Sequence, residues 1–403
     1  MVGVPGSVRT QRLLVLGAGP AQLGLLRAAR ERGLFVIACD RDPQALGFEF
    51  ADRRAIVSAE DEPAIGMLAK AEGVEGVIAP GIDWPVAVAA RVAERLGVAH
   101  PLDAETAARC VSKQRQRIAF AEHGIPQPRW ETVTQESGDL PVPCVVKPPD
   151  RQGQRGLTLV RERSDLAAAI RLAVAESRSG IALIEELVEG PEVTVNAFSV
   201  DGAFHPLTVT DRLTAEPPAF GVALAHAWPS AHDVEQAVDA VRLAAKALGV
   251  GNGPTYTQVR LTPDGPRVLE LAARLGGGHD AELCRDALGI DLNGLALAAA
   301  LGEPAEVVEA HPVGGACVRF LVAPAGVLVS IEGLERALEV DGVVDARVYR
   351  RPGWAFAPLR RGADRAGFVL ATGDSRDDSL ARADRAADLI RFETADAEAE
   401  ALV

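Results

Sequence analysis

A multidomain chain, α/β at its start and α+β afterwards, is predicted by three observations. Short apolar segments alternate with helical stretches from residue 13 to residue 96. Beyond residue 130 the strands cluster around a single helix. A two-stranded hairpin at 255–272 is then followed by helices and a proline-marked link to a last unit. The 403 residues are too many for one compact core, since domains of about 100–150 residues are the rule.

Taken in order, the apolar runs 13–16, 34–39, 55–57 and 76–79 read as strands, with helices at 21–32 and 86–96 between them. Such alternation implies a doubly wound parallel sheet, and we assign it residues 1–102. Gly17-Ala18-Gly19-Pro20-Ala21-Gln22 follows the first strand, and Asp40 ends the second, which imitates a dinucleotide fingerprint. Gln22 stands where the third glycine belongs, so a structural tight turn competes with NAD binding and with a pocket for a polar end of the substrate. A helix over 103–123 carries Lys113 and stops at Gly124, with Pro126 and Pro128 as connector. A small lobe over 130–190 has strands at 144–147, 158–160 and 181–185 and a helix at 165–177. Residues 211–228, with Pro217, Pro218 and Gly221, read as a long ordered loop. A helix over 234–248 leads to the hairpin, whose turn is Thr262-Pro263-Asp264-Gly265. The second unit is set at 103–303 and the last at 304–403, closed by a helix with Leu380, Ala383, Ala387 and Ile390 on one face.

Composition narrows function mainly by exclusion. A net charge of −14 argues against general nucleic-acid or anionic-membrane binding, so an anionic ligand must meet local cations. No apolar run reaches membrane-spanning length. Five scattered cysteines, never at metal spacing, read as reduced buried thiols, and the cytoplasm is the expected location.

The chemistry concentrates in four segments. Glu270, Arg274 and the glycines Gly276 and Gly277 end the hairpin, placing a carboxylate, a guanidinium and a flexible backbone together as a metal and phosphate site. Lys147 ends a buried strand directly before a loop with Gly153 and Gly156, whose backbone donors can fold over phosphate while Lys147 and Lys113 neutralise charge. An exposed solvated loop is the alternative for Arg151 and Arg155. The linker from Glu185 and Glu186 through Val188 to Glu192 offers backbone groups for an adenine and a carboxylate for ribose. Arg212 and His226 are candidates for gripping a substrate carboxylate, or ordinary surface polar residues. His279 and Asp280 face the substrate or start a helix.

The order Lys113, Lys147 with its glycine loop, Glu185 to Glu192, Gln258, Glu270, Arg274 resembles the ATP-grasp superfamily over nearly the whole chain. Within it the chain is similar to the L-amino acid ligases, whose extra C-terminal domain is matched by 314–392 with Gly353-Trp354 and Gly367-Phe368-Val369-Leu370. The resemblance implies an ADP-forming ligase that uses ATP and Mg2+, phosphorylates a small carboxylate and lets an amine attack the acyl phosphate, working as a homodimer. It implies that Lys113 and Lys147 bind phosphates, Glu186 and Val188 the adenine, and Glu192 the ribose. Glu270 and Gln258 would hold metal, and Arg274 would stabilise the transferred phosphoryl group. Where Gln258 and Ala272 stand the family usually has glutamate and asparagine. A working ligase with a reduced metal site, recruitment of Asp264, His279 or Asp280, and a nucleotide-binding protein without catalysis are the readings this leaves. A ligase of a phosphoribosyl or bicarbonate substrate is the alternative reaction.

Overall fold

The computed structural model describes residues 11–396, so the first and last few residues of the outer units, 1–10 and 397–403, lie outside it. The first unit is a four-stranded parallel sheet in the order Arg53–Ile56, Phe35–Asp40, Arg12–Leu16, Gly76–Ile78. Leu13 to Leu16 are fully buried because helices Leu23–Glu31 and Trp84–Leu96 cover the sheet, as parallel sheets require. The glycine turn after the first strand is satisfied from within. Ala18 N donates to Asp40 Oδ2 (2.9 Å), Gly19 N to Gln22 Oε1 (2.9 Å), and Gln22 Nε2 to the Pro80 carbonyl (2.6 Å). The buried Gln22 side chain and Asp40 thus engage the turn's backbone donors from within.

The helix expected over 103–123 is two helices, Ala104–Cys110 and Lys113–Glu122. Ser112 makes the break by capping the second, its Oγ accepting from Arg115 N (3.3 Å), an ordinary N-cap interaction. Lys113 therefore starts a helix instead of sitting within one. Gln116 then binds the edge of the hairpin, donating to Leu271 O (2.9 Å) and accepting from Leu271 N (3.0 Å).

The small lobe is an antiparallel sheet in the order Trp130–Val133, Ala182–Glu186, Cys144–Lys147, Thr158–Val160. Helix Leu166–Glu176 backs it with Leu166, Ala169, Ile170 and Ala173, a stripe at helical spacing.

An eight-stranded sheet forms the centre, in the order Gly265–Ala272, Gly253–Thr262, Glu192–Val200, Ala203–Thr214, Ala223–Trp228, Gly315–Leu321, Gly367–Gly373, Val343–Val348. Two of these strands correct the long loop expected over 211–228, where Arg212 pairs opposite His226 and only about 215–222 is irregular. The prolines there mask short flanking strands. The last three strands come from the C-terminal unit, which therefore continues the sheet. Alternation sorts the two faces. Val193, Val195 and Val259 pack on helix Glu235–Leu248, while Glu192, Thr194, Tyr256, Gln258 and Arg260 share the opposite face. Among the described residues no helix is long and apolar enough to cross a membrane.

Candidate active site

A cleft opens between the small lobe and that polar face, and Lys113, Lys147, Glu192 and Glu270 all line it. Lys113 Nζ meets Glu270 Oε1 at 2.8 Å and donates to the Arg151 carbonyl at 2.7 Å. Lys147 Nζ meets Glu185 Oε2 at 2.7 Å, and the other Glu185 oxygen takes Arg117 Nε, also at 2.7 Å. Burial raises the Glu185 pKa, but Arg117 and Lys147 outweigh it and bring the carboxyl down to about 2. Burial lowers the Lys147 pKa, with Arg117 and Lys113 adding to the effect against Glu185, so this lysine would gain from nearby negative charge. Cations outnumber carboxylates on the walls, which suits a polyphosphate.

The linker carries the remaining nucleotide candidates. Among the described residues Val188 N has no hydrogen-bond partner, which leaves a donor at the cleft. Glu186 is tied outward to Arg129 by its carboxylate (2.6 Å) and its own N–H (3.0 Å to Arg129 O). Glu192 accepts from two arginines, Arg212 Nη1 at 2.7 Å and Arg260 Nη2 at 2.8 Å. Arg212 thus faces Glu192 and the Gly221 carbonyl (3.0 Å). Gly153 and Gly156 have positive φ, 66° and 69°, and residues 151–155 of their loop line the cleft. Its Gln152 accepts from Asp83 N, bringing in the first unit.

Asp83 was not singled out in the sequence. It opens helix Trp84–Leu96, but its carboxylate caps nothing; instead Oδ1 receives Arg274 Nε (2.8 Å) and Nη2 (2.6 Å). Arg274 Nη1 donates to Leu275 O (2.9 Å), and its guanidinium lies 5.3 Å from the Tyr256 ring centroid. Arg117, Arg260 and Tyr256 were also missed. Arg260 and Tyr256 lie two residues either side of Gln258, and period-2 alternation alone would have put all three on one face.

Residues 140–282 match the model of the ATP-grasp domain, and residues 319–395 match L-amino acid ligase C-terminal domain 2. The chain carries an ATP-grasp domain. Its fold is similar to that of an L-amino acid ligase from Bacillus licheniformis, with a TM-score of 0.82 at 23% identity over 97% of this chain and 100% of that one. A phosphoribosylglycinamide synthetase from Anaerococcus prevotii matches with a TM-score of 0.77 at 20% identity, over 96% of this chain and 100% of that one. A formate-dependent phosphoribosylglycinamide formyltransferase of Burkholderia thailandensis is 28% identical over 97% of both chains. ATP-grasp carboxylate–amine ligases are ADP-forming enzymes that use ATP and magnesium.

The metal side of this ATP-grasp site is sparse. Among the described residues no group of three or more His, Cys, Asp or Glu side chains is placed to hold an ion. Glu270 and Gln258 face each other across the hairpin, and Ala272 contributes no donor. Gln258 Nε2 reaches Tyr256 Oη (3.4 Å), and among the described residues the amide oxygen meets no hydrogen-bond donor. Asp264, His279 and Asp280 do not line the cleft: Asp264 lies in the exposed turn, Asp280 accepts from Gly278 N (3.0 Å), and His279 Nε2 meets Tyr349 Oη (2.6 Å). Magnesium commonly takes one or two carboxylates plus phosphate oxygens and water, so Glu270 and the Gln258 oxygen fit an ion shared with a phosphate.

Gly276, Gly277, His226 and His279 line no part of the cleft. A Cβ on Gly276 would fall 2.1 Å from Asp280 Oδ2, and one on Gly277 3.0 Å from Gly81 O, so these glycines permit close packing instead of approach to phosphate. His279 stacks on Phe368 (3.6 Å between centroids) and holds a left-handed backbone, φ 60°. Burial lowers the pKa of His226 to about 4 and of His279 to about 3. Because these values lie below the ordinary 6.5, their contribution to stability is full above pH 6.5 and is lost as pH falls from there through about 4 and 3. Urea unfolding at pH 5 is expected to give less stability than at pH 7 by roughly 1–2 kcal/mol for each histidine. His279→Phe should remove its share of that difference, and equal midpoints at both pH values would contradict the assignment.

Proposed function

We propose that this chain transfers the γ-phosphoryl group of ATP to a small carboxylate and joins the resulting acyl phosphate to an amine, releasing ADP and phosphate. The observation that carries the reading is the meeting of Lys113, Lys147, Glu192 and Glu270, from distant segments, in one cleft that a glycine loop also lines. Under this reading Lys113 and Lys147 exchange part of their carboxylate pairing for phosphate oxygens. The Val188 N–H and the Glu186 carbonyl flank the adenine, and Glu192 takes the ribose. Glu270 and Gln258 hold the magnesium ion, which supplies charge neutralisation to the phosphates. Arg274, fixed by Asp83, faces the charge that develops on the transferred phosphoryl group and on the acyl oxygen as the amine adds. The small lobe keeps water from the acyl phosphate.

The L-amino acid ligase C-terminal domain favours an amide or peptide product over a phosphoribosyl or bicarbonate substrate. The enzyme is expected in the cytoplasm and as a homodimer, the latter open to light scattering. Incubation with ATP, magnesium and pairs of L-amino acids should release ADP and phosphate in equal amounts together with a dipeptide. Nucleotide binding without release from any acid and amine would sink the reading and leave a nucleotide-binding protein.

A further inference from the structure

The root of the glycine loop is built as a joint. Asp150 follows Lys147-Pro148-Pro149 directly and is buried; its Oδ1 accepts from Arg178 N (2.9 Å) and its Oδ2 from Ser179 N (2.8 Å), while Ser177 Oγ donates to the same carboxylate (3.2 Å). Arg151 Nε donates to the Glu176 carbonyl (2.6 Å). The bend at 177–179, which follows helix Leu166–Glu176, is therefore tied to the strand that carries Lys147 and to the loop. From this bend the Arg178 side chain crosses to the first unit. Its guanidinium carbon lies 4.2 Å from the Trp84 ring centroid, and Nη2 meets Glu60 Oε2 at 2.6 Å. Glu60 is 47% exposed, and an ion pair so open to water contributes little by itself. The half-buried ring carries most of the attraction, and the carboxylate orients the guanidinium above it.

Trp84 adjoins the residue that holds Arg274. Asp83 Oδ1 takes Arg274 Nε and Nη2, and Asp83 N donates to Gln152 Oε1 of the glycine loop. Two residues earlier, Gly81 N donates to Leu275 O (3.2 Å), the carbonyl that also accepts from Arg274 Nη1. Segment 81–84 thus grips Arg274 on one side and the small lobe on the other. Gly81 holds φ at 73°, and a Cβ there would fall 2.7 Å from Ala21 Cβ, so the segment is also wedged against the turn after the first strand.

We propose that Arg178 and Trp84 are positioning residues for Arg274: their stacking seats the small lobe on segment 81–84, and the seated segment holds the guanidinium in place. The inference rests on the ligase reading for what Arg274 does, and adds how the placement of the small lobe governs it. A lobe lifted from the first unit takes Gln152 from Asp83 N and Arg178 from Trp84 together. Asp83 is then left to orient Arg274 from an unsupported backbone. Full stabilisation of the transferred phosphoryl group is thereby confined to the arrangement in which the lobe shields the cleft from water.

The test uses the full-length protein with and without ADP and magnesium, as wild type, Arg178→Ala, Arg178→Lys, Trp84→Leu and Trp84→Phe. Hydrogen exchange followed by mass spectrometry reads the peptides over 80–86 and 150–157, which contain the Gly81 and Asp83 amides and the glycine loop. Arg178→Ala should speed exchange in both by about threefold to thirtyfold, the range for a half-buried cation–π pair reinforced by an exposed ion pair, with the melting temperature near wild type. Single-turnover ADP release with ATP, magnesium and amino-acid pairs should slow by a similar factor, and ADP affinity should fall by less. Arg178→Lys and Trp84→Phe keep a cation and a ring, so they should retain most of the wild-type behaviour even where Trp84→Leu folds poorly. In an Arg274→Met background Arg178→Ala should slow turnover no further, because its effect runs through Arg274. Unchanged exchange over 80–86, an equal fall in ADP affinity and turnover, or a full further loss in the Arg274→Met background would each overturn the proposal. Wild type without turnover for any acid and amine removes the ligase reading, and faster exchange over 80–86 in Arg178→Ala then keeps the seating of segment 81–84. Wild-type turnover in Arg178→Ala does the reverse: it keeps the ligase reading and removes the positioning role.

Discussion

Arg274→Met is expected to slow ATP-dependent ADP release by about a hundredfold to a thousandfold, the usual effect of removing one preorganised donor from a developing oxyanion. Three fixed contacts give the side chain that preorganisation: two bonds to Asp83 Oδ1, at 2.8 and 2.6 Å, and one to Leu275 O at 2.9 Å. A guanidinium held this way need not reorganise as charge builds. ADP affinity should change little, because Lys113, Lys147 and the linker remain in place. Asp83→Asn should fall between wild type and Arg274→Met, since it keeps an acceptor and loses the charge. Single-turnover ADP release with parallel ADP titration makes the comparison, and turnover within tenfold of wild type in Arg274→Met would remove this residue from the chemistry.

Arg117→Met is expected to destabilise the protein by about 3–5 kcal/mol, the cost of stranding the partner of a buried pair. Arg117 is 1% exposed and binds Glu185 at 2.7 Å, Val268 O at 3.1 Å and Leu269 O at 2.5 Å. It thereby fastens the helix that carries Lys113 to the lobe that carries Lys147 and to the strand that carries Glu270. Removing it leaves Glu185 with Lys147 alone. Because the lost contacts span three segments, nucleotide affinity should drop with stability. Urea unfolding with and without ADP measures both. Replacing Glu185 and Arg117 together by glutamine and methionine should cost less than the sum of the two single changes, as expected of groups in direct contact.

The strands and helices with strong periodicity were legible in the sequence. The hairpin at 253–272 and the parallel sheet at the start follow from alternation and apolar runs, and Lys113, Lys147, Glu192 and Glu270 do share a cleft. Local ambiguity hid other features. Val111 and Ser112 interrupt a helical pattern without glycine or proline, so the cap has the same local pattern as helix interior. Pro217 and Pro218 mask the short strands on either side, which carry Arg212 and His226. Asp83 looks like any acidic residue before a helix, and only the tertiary approach of Arg274 distinguishes it. Electrostatic partners across 191 residues of chain leave no mark in local pattern.

The strand Ala223–Trp228 hydrogen-bonds to Gly315–Leu321, and that strand in turn to Gly367–Gly373. During synthesis the nucleotide-binding half therefore leaves the ribosome with one flank of its ladder bare until residues 315–321 have emerged. A shortened chain that stops after the ATP-grasp match would not be a smaller ligase; it would carry a row of unpaired backbone groups ready to join another molecule.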